Sequence, residues 1–161
     1  MIQRGCMVNV RDKHDMLPLY YAIKNVDERM ISILLEARAN VNLTVPLEEP
    51  DGDKTRIRDR SLLSIAVTSN HMNCQIIQLL INAKADVTST KTDLITQAYN
   101  TYDYDLSIIK LLIENKAHIP FPNDVLYFAF RDEHMNLVSL IVKSGYYIPW
   151  NLFVYDHINV W

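Results

Sequence analysis

Long apolar runs are missing from this 161-residue chain. Every stretch of Ile and Leu is soon broken by Lys, Glu, Asn or Asp, so none approaches the roughly 20 consecutive apolar residues of a membrane-spanning helix. The N-terminus, Met1-Ile2-Gln3-Arg4-Gly5-Cys6, lacks the basic region and apolar stretch of a secretory signal. Cysteine is scarce. Cys6 and Cys74 match no paired zinc or redox spacing, which points to reduced, buried thiols in a reducing interior. Positive charge is short as well, because a formal net charge of −3 offers phosphate backbones no broad attraction. The one basic segment, Lys54, Arg56, Arg58 and Arg60, is diluted by Asp51, Asp53 and Asp59, so no nucleic-acid partner is expected. Hydrophobic residues make up 49% of the chain, which excludes disorder, and the length suits one continuous core.

What is present is an internal echo. An apolar pair is followed, seven positions after its first member, by a Val or Ile. Met1-Ile2 leads to Val8, Leu34-Leu35 to Val41, Leu80-Ile81 to Val87, Leu112-Ile113 to Ile119, and Ile141-Val142 to Ile148. A short turn precedes each Val or Ile: Gly5-Cys6-Met7, Arg38-Ala39-Asn40, Lys84-Ala85-Asp86, Lys116-Ala117-His118 and Gly145-Tyr146-Tyr147. These read as helix endings running into extended segments. Upstream, an apolar residue stands three before an alanine, as in Leu19 with Ala22, Leu63 with Ala66, Ile95 with Ala98 and Leu126 with Ala129. That spacing puts both on one helical face.

Leu17-Pro18-Leu19-Tyr20-Tyr21-Ala22 resembles the Thr-Pro-Leu-His-x-Ala opening of the ankyrin family, with Leu for Thr and Tyr for His. Asn70-His71-Met72-Asn73 and Glu133-His134-Met135-Asn136 resemble its Gly-His step, and Ala39-Asn40-Val41-Asn42 and Ala85-Asp86-Val87-Thr88 its Ala-Asp-Val-Asn ending. The resemblance implies an all-α fold, an ankyrin-type helix–turn–helix solenoid with short β-hairpin or finger loops. Repeats would fall at about 11–42, 58–88, 90–119 and 121–148, with partial units at 1–10 and 149–161. Steps of 33, 46, 32 and 29 residues separate Val8, Val41, Val87, Ile119 and Ile148. The long step carries a loop insertion around Val45 to Arg58, where a finger would project. Repeats two and three, around Ser61-Leu62-Leu63-Ser64 and Thr92 to Ala98, keep the apolar register without the Pro and His.

In each unit the first helix would turn its small Ala toward the next repeat, and the second would bury Ile31, Ile33, Leu34 and Leu35, or their equivalents 76–80 and 108–112. Neither end looks like a polar cap. Met1 sits at a core position, and the chain closes on Trp150, Leu152, Phe153, Val154, Tyr155 and Trp161. Both features predict that the residues belong to a longer protein, or that the ends are covered by a partner or by self-association.

Catalysis is not expected. None of His14, His71, His118, His134 and His157 pairs with another at metal-binding helical spacing, and His71 with Cys74 lacks an orienting carboxylate. Asp51-Gly52-Asp53 is too short for a calcium loop. No metal or cofactor follows. By resemblance, a protein partner would meet finger tips and the concave ends of first helices. That assigns Asp12, Lys13, His14 and Met16, then Tyr20, Lys24 and Asn25, Thr68 and Ser69, Asn100, Thr101 and Tyr102, and Arg131 and Asp132. Tyr20, Tyr21, Tyr99, Tyr102 and Tyr104 are the expected hot spots, since Tyr joins a large apolar face to a polar tip. The expected function is an intracellular protein-interaction scaffold. The alternative is the targeting segment of a multidomain enzyme or a host-directed effector, acting in the host cytoplasm.

Overall fold

Leu19, Leu63, Ile95 and Leu126 recur with Ala22, Ala66, Ala98 and Ala129 at i, i+3, and each pair is buried on a helix. The computed structural model describes residues 7–52, 54–69, 73–89, 93–100, 106–119 and 122–145. Among them the chain is mostly helical, with eight helices and one small antiparallel sheet. The helices are α1 (Pro18–Lys24), α2 (Glu28–Glu36), α3 (Leu62–Thr68), α4 (Cys74–Asn82), α5 (Leu94–Tyr99), α6 (Leu106–Glu114), α7 (Pro122–Arg131) and α8 (Met135–Lys143). The two strands, β1 (Thr44–Asp51) and β2 (Lys54–Ser61), lie between α2 and α3. No helix among the described residues is long and apolar enough to cross a membrane.

Side-chain caps start four of the described helices. Asp27 caps α2 by accepting from the Met30 N–H at 2.9 Å, Ser61 caps α3 at Ser64, Asn73 caps α4 at Gln75, and Asp93 caps α5 at Thr96. α1 has Leu17 in the capping position with no side-chain bond, and Pro18 begins the helix where its missing N–H costs nothing.

The helix ends repeat more strictly than the starts. Arg38, Lys84 and Lys116 take φ of +64°, +68° and +60°, and Gly145 takes φ of +91°. At the first three, the residue's own N–H donates to Leu35, Ile81 or Ile113, and the next N–H, of Ala39, Ala85 or Ala117, donates to Leu34, Leu80 or Leu112. These are Schellman closures, two carbonyls of the last turn satisfied by one left-handed residue. They explain the constant seven-residue offset: the closure fixes how many residues separate the last apolar turn from the buried Val41, Val87 or Ile119. Val26 and Glu133, at φ of +55° and +60°, close α1 and α7 in the same way. There Asp27 and His134 donate to Ala22 and Ala129.

The chain divides into two compact units, Met1–Val87 and Thr88–Trp161. In the first, α1 packs on α2 and α3 on α4, while α1 also meets α3 and α2 meets α4. Its core includes Leu19, Ile23, Ile31, Leu63, Ile77 and Leu80. Each such side chain, fully buried, is worth roughly 1.5–3 kcal/mol. The second unit repeats the arrangement: α5 packs on α6 and α7 on α8, α5 meets α7, and α6 meets α8. Of the expected second-helix core, Ile31, Leu34, Ile76, Ile77, Leu80, Ile108, Ile109 and Leu112 are buried, and Ile33, Leu35, Leu79 and Leu111 are half-buried.

Polar bonds link successive turns within the first unit. Asn9 Oδ1 accepts from the Asn40 N–H at 2.8 Å. At the corresponding place one pair later, Asn42 Oδ1 accepts from the Asp86 N–H at 2.8 Å, and Asn42 Nδ2 donates to the Lys84 carbonyl at 3.0 Å. Asn73 Nδ2 donates to Glu28 at 2.7 Å, so the residue that caps α4 also holds the start of α2.

The insertion expected as a loop is a regular hairpin of eight residue pairs, from Thr44↔Ser61 to Asp51↔Lys54. Gly52 makes the reversal at φ of +63°, which costs glycine little. Pro46 and Pro50 lie four apart and so share one phase of the pleat. Their missing N–H groups therefore fall on the outer edge of β1, where a two-stranded sheet needs none. Val45 is buried at the hairpin base.

Candidate interaction surface

The first finger is built around one carboxylate. Asp12 Oδ1 accepts from the N–H groups of His14 at 2.8 Å and Met16 at 3.0 Å, the Asp12 N–H donates to the Met16 carbonyl at 3.0 Å, and Asp15 sits at φ of +63°. The loop is closed on itself by Asp12. Tyr21 Oη donates to Asp12 Oδ2 at 2.6 Å, which fastens the finger to the outer face of α1. This bond holds the Asp12 carboxyl below its ordinary 3.8, with the Met16 N–H adding to it, and pushes the Tyr21 phenol up from 10.0. Arg11 reaches the next finger: it donates to the Asp15 carbonyl and to the Thr44 carbonyl at the foot of β1, each at 2.7 Å, and pairs with the Asp15 carboxylate at 3.2 Å.

Helical geometry divides the two adjacent tyrosines. Tyr20 lies on the inner face with Leu19, Ala22 and Ile23 and is only 7% exposed. Its ring supports Tyr21 edge-on at 5.3 Å, with Lys24 Nζ 5.9 Å above it. Tyr21 is 40% exposed. Tyr20 therefore contributes to packing where the sequence reading placed it on the surface. Asp12, Lys13, His14, Lys24 and Asn25 are exposed and Met16 is half-buried. Thr68 and Ser69, also half-buried, spend their hydroxyls on the Ser64 and Ala66 carbonyls of their own helix.

In the second unit, Asn100, Arg131 and Asp132 are exposed. Arg131 donates to both Asp132 oxygens, at 2.7 and 3.1 Å, and the buried Tyr99 donates its phenol to Asp132 at 2.7 Å. The guanidinium first and the phenol second hold the Asp132 carboxyl at about 2. Asp132 in turn raises the Arg131 guanidinium. Tyr99 is thereby a positioning group for Asp132, and His134 lies against its ring at 6.2 Å. Thr101, Tyr102 and Tyr104 lie outside the described residues, as do His71, His157, Cys6 and the apolar residues 150–161.

Among the described residues no cluster of His, Cys, Asp and Glu could hold a metal ion. A shallow groove of about 280 Å³ runs between α6 and α8, lined by Leu106, Lys110, Asn136, Leu137, Leu140 and Lys143.

The hairpin carries what the sequence reading discounted. Because strand side chains alternate, Lys54, Arg56, Arg58 and Arg60 share one face of β2, and Asp59 falls on the other. Glu49, across on β1, reaches Arg60 at 2.6 Å and Arg58 at 3.6 Å. The opposite face has Ile57 at 68% exposure. The alternation of Lys and Arg at every second position was the signal.

No protein-family model matches the chain, and no curated protein matches it either.

Proposed function

We propose that this chain is a divergent ankyrin-repeat module that binds another protein inside the cell and carries out no catalysis of its own. The observation that supports the repeat reading most is the identical Schellman closure at Arg38, Lys84 and Lys116, each followed by Ala and a buried Val or Ile. A left-handed C′ residue is where glycine would be preferred, and Arg and Lys stand there instead. The Asn9–Asn40 and Asn42–Asp86 bonds, at matching positions around successive buried Val residues, support the same reading.

Binding would fall on the first finger and the outer face of α1, where Asp12 fixes the loop and Tyr21, Lys13, Lys24 and Asn25 are exposed. Arg131 and Asp132 would serve in the second unit. Tyr21 suits a hot spot because its ring is braced by Tyr20 and its hydroxyl is already oriented by Asp12. The test is affinity capture with the full chain beside a variant carrying Lys13→Glu, Lys24→Glu and Arg131→Glu. A defined protein partner, lost in the variant at unchanged melting temperature, is expected. Retention of every captured protein by the variant would remove the surface assignment.

A further inference from the structure

Hairpin register decides which backbone groups of β2 have partners. Antiparallel pairs alternate between those that exchange hydrogen bonds and those that do not. Proline has no N–H, so Pro46↔Asp59 and Pro50↔Thr55 are pairs of the second kind, and Glu48↔Ile57 midway between them is another. In such pairs the backbone groups turn outward. Thr55, Ile57 and Asp59 therefore aim their N–H and C=O groups at the outer edge of β2. Among the described residues the sheet has two strands, and residues 54–59 are exposed throughout. The two edges differ: β1 lacks donors at Pro46 and Pro50, whereas β2 contains no proline.

We infer that the outer edge of β2 takes an extended acidic segment of a partner protein as a third strand. A strand added there would set its side chains beside Lys54, Arg56, Arg58 and Arg60 on one face and beside Thr55, Ile57 and Asp59 on the other. Four cations at alternate positions match Glu or Asp at alternate positions; Glu49 on β1 pairs with Arg58 and Arg60. The exposed Ile57 favours an apolar residue on the opposite face of the incoming strand. A second copy of this chain does not suit the edge. Pairing β2 with β2 would set like charges side by side, the arrangement that keeps edge strands from self-association.

The inference rests on the protein-binding reading only in requiring a polypeptide partner, and it uses residues apart from Lys13, Lys24 and Arg131. The probe is a capped peptide of about eight residues alternating Glu and Val, titrated against the full chain. Saturable binding is expected, with slowed amide exchange at Thr55, Ile57 and Asp59. The same peptide N-methylated on its strand-facing amides keeps its charge and should bind about tenfold or more weakly, the equivalent of losing one or more hydrogen bonds. Arg58→Glu should weaken the unmodified peptide by a similar factor, about tenfold. Ile57→Pro removes one outward N–H while sparing the hairpin's own ladder, and should also abolish the slowed exchange. Absence of peptide binding by the wild-type chain would overturn the inference. So would equal binding of the two peptides, which would mark attraction by charge alone, or slowed exchange away from β2. The Lys13/Lys24/Arg131 capture experiment reads the broader module proposal independently, and the N-methylated peptide keeps the test decisive even if Ile57→Pro disturbs the hairpin.

Discussion

Lys84 and Lys110 offer one chemical change with two opposite expected outcomes. Both lysines are exposed. Lys84 sits at φ of +68° as the left-handed closing residue after α4, and Lys110 lies inside α6. A residue with a Cβ costs about 1–2 kcal/mol in the left-handed region. Glycine relieves that cost but loses more freedom on folding, by about 0.5–1 kcal/mol. Lys84→Gly should therefore stabilise the protein by about 0.5–1 kcal/mol. Lys110→Gly removes a good helix former from a helix interior and should destabilise by about 1 kcal/mol. Loss of its 3.8 Å pair with Glu114 adds a few tenths at most. Urea unfolding followed by circular dichroism at 222 nm reads both, with the midpoint rising for Lys84→Gly and falling for Lys110→Gly at unchanged slope. In heat, each kcal/mol should shift the midpoint by about 2–4 °C. A Lys84→Gly variant that loses stability as Lys110→Gly does would refute the left-handed closure, and with it the explanation of the constant seven-residue offset.

Other expected outcomes follow from the same contacts. Asn42→Ala removes the bonds to the Asp86 N–H and the Lys84 carbonyl and should lower unfolding free energy by about 1–2 kcal/mol in the same urea assay. Ala66→Leu forces extra carbons into a buried position on α3 and should cost about 1–3 kcal/mol. Because the folded Asp132 carboxyl titrates at about 2, below its ordinary 3.8, its stabilising effect is fully present above the ordinary value and is lost as pH falls toward 2. Carbon-detected NMR should place that titration near 2, and Tyr99→Phe should move it upward by removing one donor, whereas Asp132→Asn should flatten the stability profile across that window.

The helices were legible because their signal is local. Apolar residues at i, i+3 and i+4 must face one side whatever the tertiary structure, and Leu19 with Ala22 or Leu126 with Ala129 did so. The finger carboxylate Asp12 was also visible in sequence, although its bond to Tyr21 depends on how the loop returns to α1. Tyr20 and Tyr21 were inseparable as neighbours, and only the phase of α1 against α2 and α3 decides which is buried. The resemblance implied short hairpin or finger loops, but the residues of this one hid its strands, since Pro46 and Pro50 read as loop residues until the register puts both on an outer edge. Read as a loop, the charges of 54–60 lie along a line, whereas a strand sorts them onto two faces. Left-handed Arg38, Lys84 and Lys116 carried no residue-type signal, since glycine ordinarily marks that conformation.

Within each unit helix pairs stack, first helix on first and second on second, and the proposed binding surface of finger and outer α1 depends on that stacking. Nuclear Overhauser spectroscopy of methyl-labelled full chain tests it most directly. The account predicts cross-peaks linking α1 with α3 and α2 with α4, and likewise α5 with α7 and α6 with α8. Cross-peaks confined within each pair, with none from one pair to the next, would contradict it.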